Sequence, residues 1–273
     1  EISECLVGSE MCIRDRPKLV EIVGNALVSE DTDAVEIPVT EEKMPMLTKE
    51  RLKNFNTVLG VYTTNFGESP NRSRNIELAA EAIRGSVVDP GTVFSYNDAT
   101  GERSPDKGYL EAPVIVNGKP QPGYGGGVCQ VSSTLYYSAL LANLKMVSRA
   151  CHMYAQDYVP SGCDATVFWP YLDFVLQNNT DYPIKIVTYW YNNNVTVKIF
   201  GTKTDSSFVK ITSKTVSTTP WKTIYKEVDN LAPGVERVTQ YPITGFTVQT
   251  WRNVYDGNGN LISSNFEAES NYD

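Results

Sequence analysis

The run Gly123-Tyr-Gly-Gly-Gly-Val-Cys-Gln-Val-Ser-Ser-Thr134 constrains this chain more than any other stretch. Four glycines lead into one cysteine, and a helical pattern follows. Glycine lets a backbone take positive φ and pass close to a neighbouring group. Val131, Leu135, Ala139 and Ala142 recur at the spacing of one helix face. The pattern predicts a helix over about 130–144 with Cys129 at its N-terminus. Free N–H groups and the helix dipole favour negative charge there, and the thiolate is the nucleophilic form of a cysteine. The other reading is a buried cysteine on a tight glycine turn.

Elsewhere strands outnumber helices. Ile76, Ala79, Ala80 and Ile83 predict a helix over about 75–85, stopped by Gly85. Residues 57–64 and 93–96 read as strands. Residues 112–116 form another, and Asn117-Gly118 is a hairpin signal. The return arm carries Pro120 and Pro122, which suits an irregular or edge strand. Residues 146–158 read as extended, 164–168 and 173–176 as strands about Pro170, and 184–191 with 195–200 as a hairpin about Asn192-Asn-Asn194. A Ser/Thr-rich stretch follows from Thr202, and residues 246–255 pair with the stretch from Leu261. The expected fold class is α+β: a mixed or antiparallel sheet core with two main helices and a β-rich C-terminal extension.

Organisation is less regular at the start. Leu6–Asp15 reads as a translated library adapter, so residues 1–16 are set aside as an artefact or misjoined end. Residues 17–52 mix a helix end, a strand near Val35, Ile37 and Val39, and a short helical turn at 48–52. They are too few to bury a core of their own. The domain reading is therefore 17–52 as an upstream tail and linker, 53–203 as the main domain and 204–273 as the extension. A leader or anchor upstream is left open. The net charge of −8 and the lack of a Lys/Arg cluster argue against nucleic acid. No phosphate-loop or dinucleotide fingerprint is present, and no cofactor is implied.

The chain has one histidine, His152. A helix followed by a returning strand can bring it to Cys129, pairing nucleophile with base. Asp164, Asp157 and Asp173 are candidates to orient the base, with Asp164 first; a solvent-facing histidine without a role is the alternative. Zinc held by Cys129, Cys151, His152 and Cys163 is disfavoured, because adjacent Cys151 and His152 chelate awkwardly. Cys151 and Cys163 are either a disulfide or two free thiols. Backbone N–H groups of Val128, Cys129 and Gln130 are candidates for an oxyanion hole. Ser132, Ser133 and Thr134 either cap the helix or bind polar substrate groups. Arg72 and Asn75 either bind substrate carboxylates or fix the preceding loop. Gly126 and Gly127 suit close approach to a bound peptide.

PGTVFSYND (90–98), EAPVIVNGKPQPGYGGGVCQVSSTLYYSALLANL (111–144), YVPSGCDATV (158–167) and LDFVLQNNTDYPIKI (172–186) together resemble the VanW domain, as does NRSRNIELAAEAIRG (71–85). The resemblance runs from about Leu52 to Lys203. Residues 17–52 resemble the end of a peptidoglycan-binding-like domain, and the tail from Leu231 resembles a G5-like β extension. The resemblance implies an extracytoplasmic cell-envelope protein of bacteria, wall-bound or membrane-anchored, of a kind named for vancomycin-resistance clusters. It implies L,D-transpeptidation of peptidoglycan stem peptides through a thioester on Cys129, with His152 as base. A non-catalytic wall-binding or scaffold module is the competing reading.

Overall fold

The computed structural model describes residues 11–13, 21, 24–25, 28, 41–43, 49–116, 118–232, 234–239 and 241–273. The chain divides into two compact units, residues 1–54 and 55–273. In the first, β1 (Met11–Ile13) pairs antiparallel with β2 (Glu41–Lys43), and one helical turn, α1 (Lys49–Leu52), follows. β1 falls inside the stretch that reads as an adapter. The strand expected around Val35, Ile37 and Val39 lies outside the described residues.

The second unit runs β3 (Thr57–Asn65), α2 (Pro70–Ile83), β4 (Val87–Val88), β5 (Val93–Ser95) and α3 (Tyr96–Thr100). The hairpin β6 (Glu111–Val116) and β7 (Lys119–Tyr124) leads to α4 (Val128–Leu141) and β8 (Lys145–Ser148). Next come β9 (Val175–Gln177), β10 (Ile184–Tyr191) and β11 (Asn194–Gly201). The chain ends in β12 (Phe208–Thr219), β13 (Gly245–Tyr255) and β14 (Leu261–Tyr272). The sheets have the orders β3-β11-β10-β4, β5-β9-β8, β6-β7 and β12-β13-β14. This is the α+β class with a β-rich extension.

Alternation explains the main sheet. Val195, Val197 and Ile199 of β11 are all fully buried, as are Ile184 and Ile186 of β10. Asn192 and Asn193 turn the hairpin with φ of 48° and 56°, the positive values that a two-residue turn needs to match strand twist. Both main helices pack into this core. Ile76, Ala79, Ala80 and Ile83 of α2 are sealed, with Val131, Leu135 and Ala139 of α4. The approach of α4 to β3 is so close that a Cβ on Gly60 would sit 2.1 Å from the Ser138 carbonyl oxygen.

Both helices begin earlier than their apolar stripes suggest. α2 starts at Pro70, whose fixed φ suits a first turn, and those early turns carry Arg72 and Asn75 instead of apolar residues. It ends at Ile83, and Gly85 has φ 85°. α4 starts at Val128 because Gly127 supplies a left-handed φ of 107°. It ends at Leu141, with Asn143 at φ 55°. Cys129 is therefore the second helical residue.

Two further expectations are corrected. Only Lys145–Ser148 of the stretch 146–158 and its neighbour is a strand, and residues 164–168 form no strand beyond the isolated bridges Ala150–Thr166 and Phe168–Leu172. Between those bridges, the backbone of Ala165 and the Val167 N–H are met by side chains of α4. Ser132 Oγ donates to Ala165 O (2.6 Å), and Ala165 N–H donates to Ser133 Oγ (2.9 Å). Polar helix side chains take the place of a neighbouring strand. Val175–Gln177, by contrast, pairs on both sides, with β5 and β8.

The C-terminal meander docks through buried polar contacts. Arg252 Nη1 donates to Leu144 O (2.6 Å) just past α4, while Arg252 Nη2 pairs with Glu267 at 2.7 Å. The α4–β3 contact yields a direct test. Gly60→Ala forces a methyl into the Ser138 carbonyl and is expected to lower stability in urea unfolding by about 2–3 kcal/mol. Gly67→Ala, with nothing within 4 Å of the new methyl, is expected to stay within about 0.5 kcal/mol.

Candidate active site

Three segments meet at Cys129: the first turn of α4, residues 149–152 beyond β8, and residues 162–167. Cys129 is half-buried. Its Sγ accepts the Val167 N–H at 3.5 Å and lies 3.4 Å from Val167 O and 3.8 Å from Thr166 Oγ1. His152 bears electrostatically on the thiol and lowers its pKa. His152 Nδ1 stands 2.6 Å from Asp164 Oδ2, and the same oxygen accepts the His152 backbone N–H at 2.6 Å. With Nδ1 committed to Asp164, Nε2 is the nitrogen left for the sulfur. The His152 side chain is 15% exposed and that of Asp164 1%.

Two residues on other segments complete the surroundings of Asp164. Arg149 donates from Nη2 to Asp164 Oδ1 (3.0 Å) and from Nε to Asp164 O (2.6 Å). The Tyr272 hydroxyl donates to Oδ1 at 2.5 Å and accepts the Gly162 N–H at 2.7 Å.

These contacts set the charges. Burial pushes the Cys129 thiol up, but the hydrogen bond and charge of His152 outweigh it and hold the thiol below its ordinary range. Burial pushes His152 down, but Asp164 and the thiolate outweigh it and lift the imidazole to about 9. Burial raises Asp164, yet His152, Arg149 and Tyr272 together hold its carboxyl below the usual range. The site thus sets a thiol held below its ordinary range beside a raised imidazole backed by a carboxylate, the arrangement that activates a sulfur nucleophile. The other two thiols differ. Burial pushes Cys163 up to about 12, and both Cys151 and Cys163 are free thiols.

Several expected site residues turn out to hold the scaffold. Asn75 is fully buried: Nδ2 donates to Leu110 O (2.9 Å) and Gly126 O (3.1 Å), and Oδ1 accepts Leu110 N–H (2.8 Å). Ser132, Ser133 and Thr134 are sealed, and each hydroxyl donates back to a carbonyl within α4, to Cys129 O or Gln130 O. Gln130, 1% exposed, donates to Asn65 O (2.8 Å) and accepts from Arg72 Nη2 (2.7 Å). In this structure each of these side chains is buried and hydrogen-bonded within the protein. Arg72 is half-buried and keeps an electrostatic link to Cys129.

The oxyanion-hole expectation is also revised. Val128 N–H donates to Gly125 O (3.1 Å) and Gln130 N–H to Gly127 O (3.0 Å), so both are engaged within the loop. The glycines pack against the protein itself. A Cβ on Gly126 would lie 2.7 Å from Pro113 O, and one on Gly127 2.9 Å from Arg72 Cγ.

Of the three candidate aspartates, Asp164 meets His152. Asp173 instead accepts from Ser95 Oγ (2.5 Å) and Asn97 N–H (2.8 Å), and Asp157 is exposed. The four candidate zinc ligands do not converge. Cys151 Sγ turns to Asn271 O (3.7 Å) and Cys163 Sγ to Ser213 Oγ (4.0 Å), and among the described residues no three His, Cys, Asp or Glu side chains form a metal-binding group. Arg149, Tyr158 and Tyr272 are site neighbours that the sequence pattern did not single out. Tyr158 is half-buried, hydrogen-bonds to Ser133, and senses the charge of Cys129. Arg149 lies three residues before His152 and carried a local signal. Tyr272 lies 108 positions from Asp164 and carried none.

The family model described as "VanW like protein" matches residues 71–200. The chain is 40% identical over 178 residues to "Uncharacterized protein YoaR" of Bacillus subtilis (strain 168), covering 64% of this chain and 59% of that protein. It is 26% identical over 171 residues to "Vancomycin B-type resistance protein VanW" of Enterococcus faecalis (strain ATCC 700802 / V583), covering 59% of this chain and 62% of that protein. The chain thus spans about three fifths of the length of each relative. No solved structure matches it.

The electrostatics predict a strong effect of removing the imidazole. In His152→Ala the burial that raises the thiol remains while its main opposing influence is lost. The Cys129 pKa, read from thiolate absorbance in a variant lacking Cys5, Cys12, Cys151 and Cys163, is expected to climb into or above the ordinary cysteine range. The parent with His152 is expected to titrate clearly lower.

Proposed function

The chain carries a VanW-like domain at residues 71–200, and we propose that it is a cysteine acyltransferase of the bacterial cell envelope, an L,D-transpeptidase acting on peptidoglycan stem peptides outside the cytoplasm. The observation that carries this reading is the line Cys129–His152–Asp164, with a depressed thiol, a raised imidazole and a buried ionised carboxylate. The segment just past the sulfur's partner Val167 exposes Phe168, Trp169 and Tyr171. Among the described residues no helix is long and apolar enough to cross a membrane.

The chemistry closes without a cofactor. The Cys129 thiolate attacks the carbonyl carbon of the third residue of a tetrapeptide stem. The C–N bond to the terminal D-Ala breaks, and the leaving amine takes the proton held by the His152 imidazolium. An acceptor amine then attacks the thioester, gives its proton to the imidazole, and displaces the thiolate. The new cross-link never uses a D-Ala-D-Ala terminus, which suits a relative whose name refers to vancomycin resistance.

A binding-only wall module is the second reading. It is favoured by the engaged Val128 and Gln130 N–H groups, which leave no preformed oxyanion site at those two donors. An acyltransferase would need the loop at Gly125–Gly127 to shift when substrate enters. The two readings separate in one experiment. Wall tetrapeptides are incubated with the parent protein and with Cys129→Ala, and the muropeptides are separated and weighed. The proposal expects L,D-cross-linked dimers, released D-Ala and a trapped acyl adduct on Cys129 only with the parent, with a loss of at least about 10³-fold in the variant. Identical profiles with binding retained would leave the module as a wall binder.

A further inference from the structure

We propose that Tyr272 and Arg149 are positioning residues for Asp164, which makes strand β14 of the C-terminal sheet a constituent of the cysteine site. This rests on reading Cys129 as an activated thiol, but not on any particular acyl substrate.

A carboxylate has about four lone-pair sites, and each of those of Asp164 has a donor. Oδ2 takes the His152 N–H and faces Nδ1; Oδ1 takes Tyr272 and Arg149. Oδ1 thus works as the fixed end of the carboxyl. Holding it there stops rotation of the group, so Oδ2 stays aimed at Nδ1 of the imidazole and fixes the ring that faces the thiol electrostatically. Tyr272 and Arg149 are themselves held. The Tyr272 hydroxyl accepts the Gly162 N–H, and its ring packs 5.1 Å from that of Phe246. Arg149 Nη1 donates to Ser270 Oγ at 2.7 Å, and its guanidinium lies 5.2 Å from the Tyr136 ring centroid.

Every residue from 270 to 273 then touches the segment that carries the base or its acid. Ser270 meets Arg149, Asn271 O meets Cys151 Sγ, Tyr272 meets Asp164 and Asp273 N–H donates to Met153 O (2.8 Å). Arg252, held by Glu267 within the same sheet, separately anchors the sheet at Asn143 and Leu144. The end of β14 reaches instead to the acid, a second layer of hydrogen bonding of the kind that locks a functional side chain in place.

The test reads Cys129 alone, by the rate of alkylation with iodoacetamide across pH, followed on the Cys129 peptide by mass spectrometry in the full chain. The groups bearing on that profile are Arg72 from α2, Tyr96 from α3, Tyr158, His152 and Asp164, with Arg149 and Tyr272 behind Asp164. Tyr272→Phe keeps the ring and removes only the hydroxyl. The midpoint of the profile is expected to rise by about one pH unit, slowing alkylation by roughly five- to tenfold at pH values at or below the wild-type midpoint. Ser270→Ala, which frees one arm of Arg149, is expected to move it the same way by less. A Tyr272→Phe profile superimposable on a low wild-type profile overturns this inference and leaves the activated thiol standing. An ordinary wild-type profile sinks both. If Tyr272→Phe fails to fold, Ser270→Ala decides: a shift in the same direction supports the inference, and an unmoved profile overturns it.

Discussion

Asp164 is 1% exposed, and an ionised carboxylate in such a place costs several kcal/mol unless donors surround it. Here an imidazole, a guanidinium, a phenol and a backbone N–H do so. The rest of the site follows from that. The carboxylate holds the imidazole in one orientation and keeps it protonated. The imidazolium in turn stabilises negative charge on a sulfur that burial alone would keep neutral. The first turn of α4 adds a favourable end of the helix dipole, but the specific partner is His152.

The scaffold serves this arrangement through tight backbone packing. Gly60 lets α4 lie directly on β3, and Gly127 lets the helix begin one residue before the cysteine. The hydroxyls of Ser132 and Ser133 hold Ala165, which fixes Asp164 on one side and the Thr166–Val167 contact with sulfur on the other. A polar stripe on α4, unusual for a buried helix face, thus acts as the partner strand that residues 164–168 lack.

Periodicity carried much of this into the sequence. The stripes of α2 and α4, the Asn192-Asn193 hairpin and the alternation in β11 each follow from local patterns with a physical cause. The glycine run located the helix start, and the structure adds that it permits close approach to Pro113 and Arg72. The polar residues after Cys129 look the same in sequence whether they face a substrate or a buried carbonyl. Only the tertiary structure shows that they face Ala165, Asn65 and the helix backbone. Asp164 was nameable as the residue opening an expected strand in the region of His152, although residues 164–168 form only isolated bridges. Tyr272 was not, since a contact closed across the whole C-terminal sheet leaves no periodic trace.

The central claim is that His152 is an imidazolium held between Asp164 and the Cys129 thiolate. Because the chain has one histidine, an NMR titration of the imidazole carbon and nitrogen resonances of the folded protein reads that residue without competition. The account predicts a midpoint near 9, well above the ordinary 6.5, and a fall toward the ordinary value when Cys129→Ser and Asp164→Asn are combined. A wild-type midpoint at or below 6.5 would mean a neutral imidazole, and the activated sulfur would be gone with it.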